Sequence, residues 1–183
     1  MEQENIGLMP KEFHMQRNQW QYPHFAWVLL GIIVVILLDQ WTKQMASDAL
    51  FYGQPQYVLP VLDWTLLHNT GAAFSFLANA GGWQRWFFTI VSSVVSVAFF
   101  VWLCRLKPEE WILRYSLLFI IAGALGNLID RVRFGYVVDF IHFHWNENYF
   151  PAFNIADMAI SFGAILILLD MFFAPKKKEL NAP

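Results

Sequence analysis

Long apolar runs alternate with short polar stretches along this chain, and the alternation repeats four times, over residues 25–45, 83–104, 112–132 and 155–173. A hydrocarbon core of roughly 30 Å takes about 20 helical residues to cross, so each run predicts a transmembrane helix. Two connecting stretches read differently. Tyr57 to Leu67 and Tyr136 to Trp145 are rich in β-branched, aromatic and apolar residues with proline and glycine punctuation, which predicts short strands and a small sheet on the membrane surface. The pattern contains no internal repeat and no low-complexity tract. It predicts an all-α membrane fold of four transmembrane helices with a small extramembrane β region. The domain division expected is a tail over 1–24, one membrane domain over 25–174 and a basic tail over 175–183.

Composition sharpens this picture. The 183 residues are 57% hydrophobic and only 14% charged, where a soluble domain is nearer a quarter charged. The net charge of −2 suggests no nucleic-acid partner. The single cysteine, Cys104, excludes an intramolecular disulfide and a thiolate metal cluster. The polar, mixed-charge start of the chain does not read as a cleavable signal peptide, and the first apolar run is too long for one. It reads as an anchor.

Lysine and arginine placement predicts orientation. The stretch from Ser47 to Gly82 has no Lys or Arg, whereas Arg105, Lys107 and Arg114 surround the connection between the second and third runs. Lys11 and Arg17 precede the first run, and Lys176, Lys177 and Lys178 follow the last. Both termini are therefore expected to be cytoplasmic. Arg131 and Arg133 stand against the bias on the outer side, and nearby aspartates are candidate partners.

This orientation brings Asp39, Asp139 and Asp157 to one depth near the outer face. Ionisable groups at a bilayer edge are costly, and the default reading is functional. A solvated interface charge explains any one of them alone. Convergence of several does not reduce to that. Two carboxylates that meet across a site can share a proton and activate water, and Asp139 and Asp157 are the candidates for that pair.

The surrounding motifs each have a plainer reading. Asp39 and Lys43 are four apart on one helical face, which also suits an interfacial ion pair with Lys43 snorkelling to the headgroups. His68-Asn69-Thr70-Gly71-Ala72-Ala73-Phe74-Ser75 suits a turn in which backbone closely approaches something. Gly123, Asn127, Asp130 and Arg131 form one helical stripe, which serves either close helix packing or a polar cavity that holds peptide backbone and orients the acids. Asn154 and Asp157 have the spacing of a helix cap. A helix N-terminus favours negative charge, so the shared proton is expected to rest more on Asp139. His142 and His144 raise a zinc alternative, which lacks a His-Glu-x-x-His partner motif. Ser161 has no evident base, so a serine nucleophile is not favoured.

Five motifs occur in order: Asp39-Gln40-Trp41-Thr42-Lys43, Asn69-Thr70-Gly71-Ala72-Ala73-Phe74, Gly123 through Arg131, Val137-Val138-Asp139-Phe140 and Phe153-Asn154-Ile155-Ala156-Asp157. Together they resemble the lipoprotein signal peptidases (signal peptidase II), bacterial membrane aspartic proteases. The resemblance implies Asp139 and Asp157 as the catalytic dyad, with Asp39, Lys43, Asn69, Gly71, Gly123, Asn127, Asp130, Arg131, Asn154 and Ala156 lining or supporting the site. It implies a short helix over the active site, in addition to the four spans and the β region. It further implies a monomeric enzyme of the bacterial inner membrane that needs no metal or other cofactor. The implied substrates are diacylglyceryl-modified prolipoproteins, met in the membrane lipid and cut just before the lipid-modified cysteine. The competing reading is a proton-coupled carrier that uses outward-facing acids, but it requires acids across the membrane. Past Asp157 the last span offers only Asp170, near the inner interface. The polar stretch before the first span is longer than the family needs and has no assigned role.

Overall fold

The computed structural model describes residues 23–71 and 82–173. Four long helices appear in chain order: α1 (Pro23–Ala49), α2 (Trp83–Leu103), α3 (Trp111–Arg133) and α4 (Ile155–Phe173). All four are long and apolar enough to cross a membrane. The apolar run assigned to α1 ends at residue 45, whereas the helix continues to Ala49 through Ser47 and Asp48. Leu30, Ile33, Leu37, Val94, Val97, Leu168 and Leu169 stay exposed on the helix faces. Such a surface would aggregate in water and suits lipid.

α3 is the central helix, and it alone buries most of its length. Val28 and Ile32 of α1, Leu103 of α2, and Leu117, Leu118 and Ile121 of α3 form one buried cluster away from the sheet. α3 and α4 approach each other through glycines. A Cβ on Gly123 would run into the Ala156 carbonyl oxygen and the Ile160 side chain, and one on Gly163 would lie 2.6 Å from the Ser116 carbonyl oxygen. Seven residues separate Gly123 from Ser116 on α3 and Gly163 from Ala156 on α4, so the contact repeats two turns apart along antiparallel helices. Gly123 therefore acts by letting α4 approach, as the packing reading of its stripe has it.

α3 ends where Gly135 adopts φ +86°, a left-handed conformation open to glycine. The Gly135 N–H donates to the Arg131 carbonyl at 3.1 Å. Arg85 of α2 donates to the carbonyls of Arg131 and Val132, both at 3.1 Å, and completes the cap. This sharp stop lets the chain turn directly into the sheet.

The sheet contains β1 (Gln56–Leu59), β2 (Leu62–Asn69), β3 (Val137–Trp145) and β4 (Asn148–Tyr149), antiparallel and in sequence order. Pro60 and Val61 form the turn between β1 and β2. No short helix occurs among the described residues, and residues 72–81, which hold Ala72, Ala73, Phe74 and Ser75, lie outside them. The tail positions Lys11, Arg17 and Lys176 to Lys178 also lie outside. One irregularity in the sheet matters for the site. Trp64 pairs with Ile141 and Leu67 with Asp139, so β2 carries one extra residue between these pairs. This bulge re-aims the end of β2. Leu67 and Asn69 lie on the same face as Asp139, with Asn69 its diagonal neighbour.

Packing at Gly123 generates a test. Gly123→Ala places a methyl against backbone, which cannot swing aside, and destabilises the fold by about 1–3 kcal/mol. Denaturation in detergent should show a lower midpoint, and an unchanged midpoint would mean that α3 and α4 have slack between them.

Candidate functional site

Asp139 sits in β3 and Asp157 in the first turn of α4, and both face a pocket of amide groups. After β4 the chain returns to β3: the N–H groups of Phe140 and Ile141 donate to the Phe153 carbonyl at 3.1 and 2.9 Å, and Phe153 N–H donates back to Ile141 at 3.0 Å. This pairing delivers Asn154 to Asp139 just as α4 begins. Asn154 then caps the helix as its spacing predicts. Its Oδ1 accepts from the Asp157 N–H at 3.0 Å, and Asp157 Oδ2 accepts from the Asn154 N–H at 3.3 Å.

Three asparagines converge on the two carboxyls, and each has its amide orientation fixed by a group that can only donate. Asn154 Oδ1 is taken by the Asp157 N–H, which leaves Nδ2 to donate to Asp139 Oδ1 at 2.6 Å. Asn69 Oδ1 accepts from the Gly71 N–H at 3.0 Å, so its Nδ2 donates to Asp139 Oδ2 at 3.1 Å. Asn127 Oδ1 accepts from Lys43 Nζ at 2.9 Å, so its Nδ2 donates to Asp157 Oδ1 at 2.8 Å. An amide that faced an ammonium or a backbone N–H with its own NH2 would set donor against donor. Each of these three asparagines is thereby committed to presenting N–H to a carboxylate.

Behind this layer lies a buried ionic cluster. Lys43 Nζ meets Asp39 Oδ2 at 2.8 Å and Asp130 Oδ2 at 2.9 Å. Asp39, Lys43 and Asp130 are 0%, 3% and 1% exposed, which replaces the snorkelling reading of Lys43 with a fully interior one. Asp39 Oδ1 accepts from the Ala156 N–H at 2.8 Å, which places a negative charge at the N-terminus of α4. Asp130 Oδ2 accepts from the Val138 N–H at 3.1 Å. Ala156 thus contributes through its backbone.

Arg131 corrects an expectation. It forms no ion pair with an aspartate among the described residues. Its guanidinium instead donates to the Gly71 carbonyl at 3.3 Å and lies 5.4 Å from the Phe88 ring centre. Arg133 lies over Phe134 at 4.7 Å. The candidate acids are hydrogen-bonded to Lys43 and to the asparagines, and Asp157, Asp139 and Asp130 act on the Arg131 guanidinium only through longer-range attraction. In the histidine pair, His142 Nδ1 lies 3.2 Å from Thr65 Oγ1, His144 Nε2 lies 3.5 Å from Asp63 Oδ2, and both rings lie against Tyr149. Among the described residues, no group of three or more His, Cys, Asp or Glu side chains is placed to hold a metal ion.

Two further residues belong to the cluster; both lie within the motifs that carry the resemblance, which assigned neither a role. Gln40 Nε2 donates to Asp130 Oδ1 at 2.8 Å, with Asp39 Oδ2 and the Gly126 carbonyl each at 3.2 Å. Gly126 leaves room for Asp39, since a Cβ there would lie 2.6 Å from Asp39 Oδ2. Gly126 lies four residues before Asp130 on one face of α3, but its contact with Asp39 and those of Gln40 with Asp130 and the Gly126 carbonyl depend on α1 packing against α3.

Two clefts meet at the site. One of about 620 Å³ lies along the sheet and is lined by Tyr52, His68, Asn69, Asp139 and His142. The other, about 690 Å³, follows α4 from Asp157 past Met158, Ser161 and Phe162 to Ile165, with Asn127 and Arg131 at its polar end. Asn69 and the segment Phe150-Pro151-Ala152 border both clefts. Asp139 faces the sheet cleft and Asp157 the apolar one.

Burial pushes the Asp139 carboxyl up to about 7, and the neighbouring Asp157 carboxylate adds to the rise, against the amide donors of Asn69 and Asn154. The native state therefore retains a proton at Asp139 that the unfolded chain has already released. The sign follows: this group's contribution to stability is fully present below about pH 4 and is lost as the pH rises toward about 7. Asp139→Asn removes the titration. The melting temperature of the variant relative to the wild type should rise between about pH 4 and 7, whereas a constant difference would place an ordinary, solvated carboxyl at Asp139.

The model of the Signal peptidase (SPase) II family matches residues 31–173. A lipoprotein signal peptidase of Acinetobacter baumannii is 53% identical over 162 residues, which cover 88% of this chain and 92% of that protein. One from Ectopseudomonas mendocina is 51% identical over 161 residues, covering 87% and 95%. Among solved structures, a bacterial membrane enzyme determined by the in meso method at 2.3 Å superposes with a TM-score of 0.75 at 31% identity, covering 86% of this chain and 94% of that one.

Proposed function

The chain belongs to the signal peptidase II family, and from that premise we propose that it is an aspartic endopeptidase of the bacterial inner membrane that removes signal peptides from diacylglyceryl-modified prolipoproteins. The cut falls just before the lipid-modified cysteine. The relatives' names supply the reaction. The observation that carries the aspartic assignment is the convergence of Asn69, Asn127 and Asn154 on two carboxyls, Asp139 and Asp157, where two clefts meet.

In this reading one aspartate is ionised and the other protonated, and the proton rests on Asp139. The position of Asp157 in the first turn of α4, at the positive end of the helix, supports that choice. Ionised Asp157 takes a proton from a water molecule, and the water oxygen bonds to the scissile carbonyl carbon. Protonated Asp139 donates its proton to the carbonyl oxygen, so the tetrahedral intermediate is neutral. Its collapse breaks the C–N bond and returns the hydroxyl proton to Asp139, while Asp157 gives its proton to the leaving amine. Both acids end as they began.

The cleft along α4 is apolar below Asp157 and suits a hydrophobic signal segment that enters from the bilayer, whereas the sheet cleft suits the polar chain beyond the cut. Asn69, Gly71, Asn127, Arg131 and Asn154 are the residues placed to hold backbone or to direct the acids. The distribution of Lys and Arg supports cytoplasmic termini with the site toward the outer face. The tails over 1–24 and 175–183 are then cytoplasmic extensions of one membrane domain, and we propose that it works as a monomer.

Purified full-length protein should process a diacylglyceryl-modified prolipoprotein, and Asp139→Asn and Asp157→Asn should each lower kcat by about 1,000-fold or more while remaining folded. Folded variants that retain wild-type cleavage would remove both residues from the chemistry.

A further inference from the structure

Lys43 is a buried cation that lines neither described cleft and takes no part in the proton transfers proposed above. Its ammonium carries three hydrogens and meets three acceptors: Asp39 Oδ2 at 2.8 Å, Asp130 Oδ2 at 2.9 Å and Asn127 Oδ1 at 2.9 Å. Each acceptor passes the contact on toward the dyad. Asp39 accepts the N–H of Ala156, the residue just before Asp157. Asp130 accepts the N–H of Val138, the residue just before Asp139. Asn127 donates to the Asp157 carboxyl itself.

The two carboxylate arms are alike in design. Each runs from the ammonium through one buried aspartate to the backbone immediately ahead of one member of the dyad. The arms come from different helices, α1 and α3, and end on different elements, α4 and β3. Those elements contact each other beside the dyad through Asn154, whose amide reaches Asp139 and the Val138 carbonyl. Gln40 links the two arms a second time, with its amide nitrogen 2.8 Å from Asp130 Oδ1 and 3.2 Å from Asp39 Oδ2. A cation needed only to balance charge requires no such symmetry.

Building on the aspartic-peptidase reading, we propose that Lys43 is a positioning residue that sets the separation of Asp139 and Asp157. Its arms through Asp39 and Asp130 hold the backbone ahead of each aspartate, and its third contact dictates the direction of the Asn127 amide. Without the ammonium, Asn127 Oδ1 loses its charged donor at 2.9 Å and keeps only the longer contact from Asn154 Nδ2 at 3.3 Å, and the two arms lose their common anchor. A displacement of about 1 Å at reacting groups is enough to cost about 100-fold in rate.

The test separates positioning from charge balance. Lys43→Met alone strands two acids, so it is combined with Asp130→Asn, which leaves the formal charge of the cluster unchanged. In full-length enzyme this pair should fold, cleave with kcat lowered about 100-fold or more, and keep KM within about threefold. Its crystal structure in lipid should show the two carboxyls displaced by about 1 Å or the Asn127 amide turned. Wild-type kcat in the folded pair would overturn the proposal. Should the pair not fold, isosteric Asp130→Asn, which keeps Lys43 and weakens the arm to Val138 together with the Gln40 link, should lower kcat about 10-fold at unchanged KM, and wild-type kcat there would overturn it equally. If the wild type does not cleave prolipoprotein at all, the functional reading fails by itself. The structure of the variant then still decides the positioning claim, because unchanged carboxyl separation and amide direction would contradict it.

Discussion

The ammonium of Lys43, held among Asp39, Asp130 and Asn127 in the interior of the bundle, is the contact on which the rest of the site depends. A buried charge is costly in a low-dielectric interior and persists only when its partners are well placed, and stripping one partner from such a cluster costs about 3–5 kcal/mol. Here the partners are well placed because they are themselves fastened: Asp39 to the start of α4, Asp130 to the start of β3. The glycines make the geometry possible. Gly126 leaves space for the Asp39 carboxylate, and Gly123 lets α4 lie against α3 closely enough for Ala156 to reach it. Packing and electrostatics thus meet at the same turns of α3.

The dyad's environment is a balance of opposing effects. Burial disfavours charge, whereas amide donors and the N-terminus of α4 favour it. A carboxyl surrounded only by apolar groups would stay protonated, and one fully solvated would stay ionised. Asp139 sits between these limits, with a proton affinity raised to about 7 despite two amide donors. Chemistry that needs one acid and one base from the same residue type requires such an intermediate setting. The fixed asparagine amides supply it without a mobile group, since each is oriented by an obligate donor elsewhere in the structure.

Much of this was legible in the sequence where the signal is local or periodic. Apolar runs of bilayer length gave the four helices, and β-branched and aromatic stretches gave β2 and β3. The Asn154 cap was legible because its partner, Asp157, is three residues away. Long-range geometry was less accessible. Lys43 could be placed on a face with Asp39, but its burial depends on Asp130 and Asn127 from another helix. Arg131 was expected to pair with acids, yet those acids are already engaged, and competition of that kind is invisible in one dimension. Gln40 and Gly126 lie within the recognised motifs but carried no role, because an amide beside an acid and a glycine in an apolar helix are ordinary neighbours until the fold brings α1 against α3. The bulge in β2 that aims Asn69 at Asp139 likewise leaves no mark in residue type.

The central claim is that Asp139 and Asp157 are held as a pair that shares one proton near neutral pH. Infrared spectroscopy of protein carrying isotope-labelled aspartate, in lipid and without substrate, counts protonated carboxyls directly. The account predicts a protonated carboxyl at about pH 6 that disappears as the pH is raised through about 7 and is missing from Asp139→Asn. A wild-type spectrum matching that of Asp139→Asn at about pH 6 would mean that both members of the pair are ionised, and the shared-proton account would be wrong.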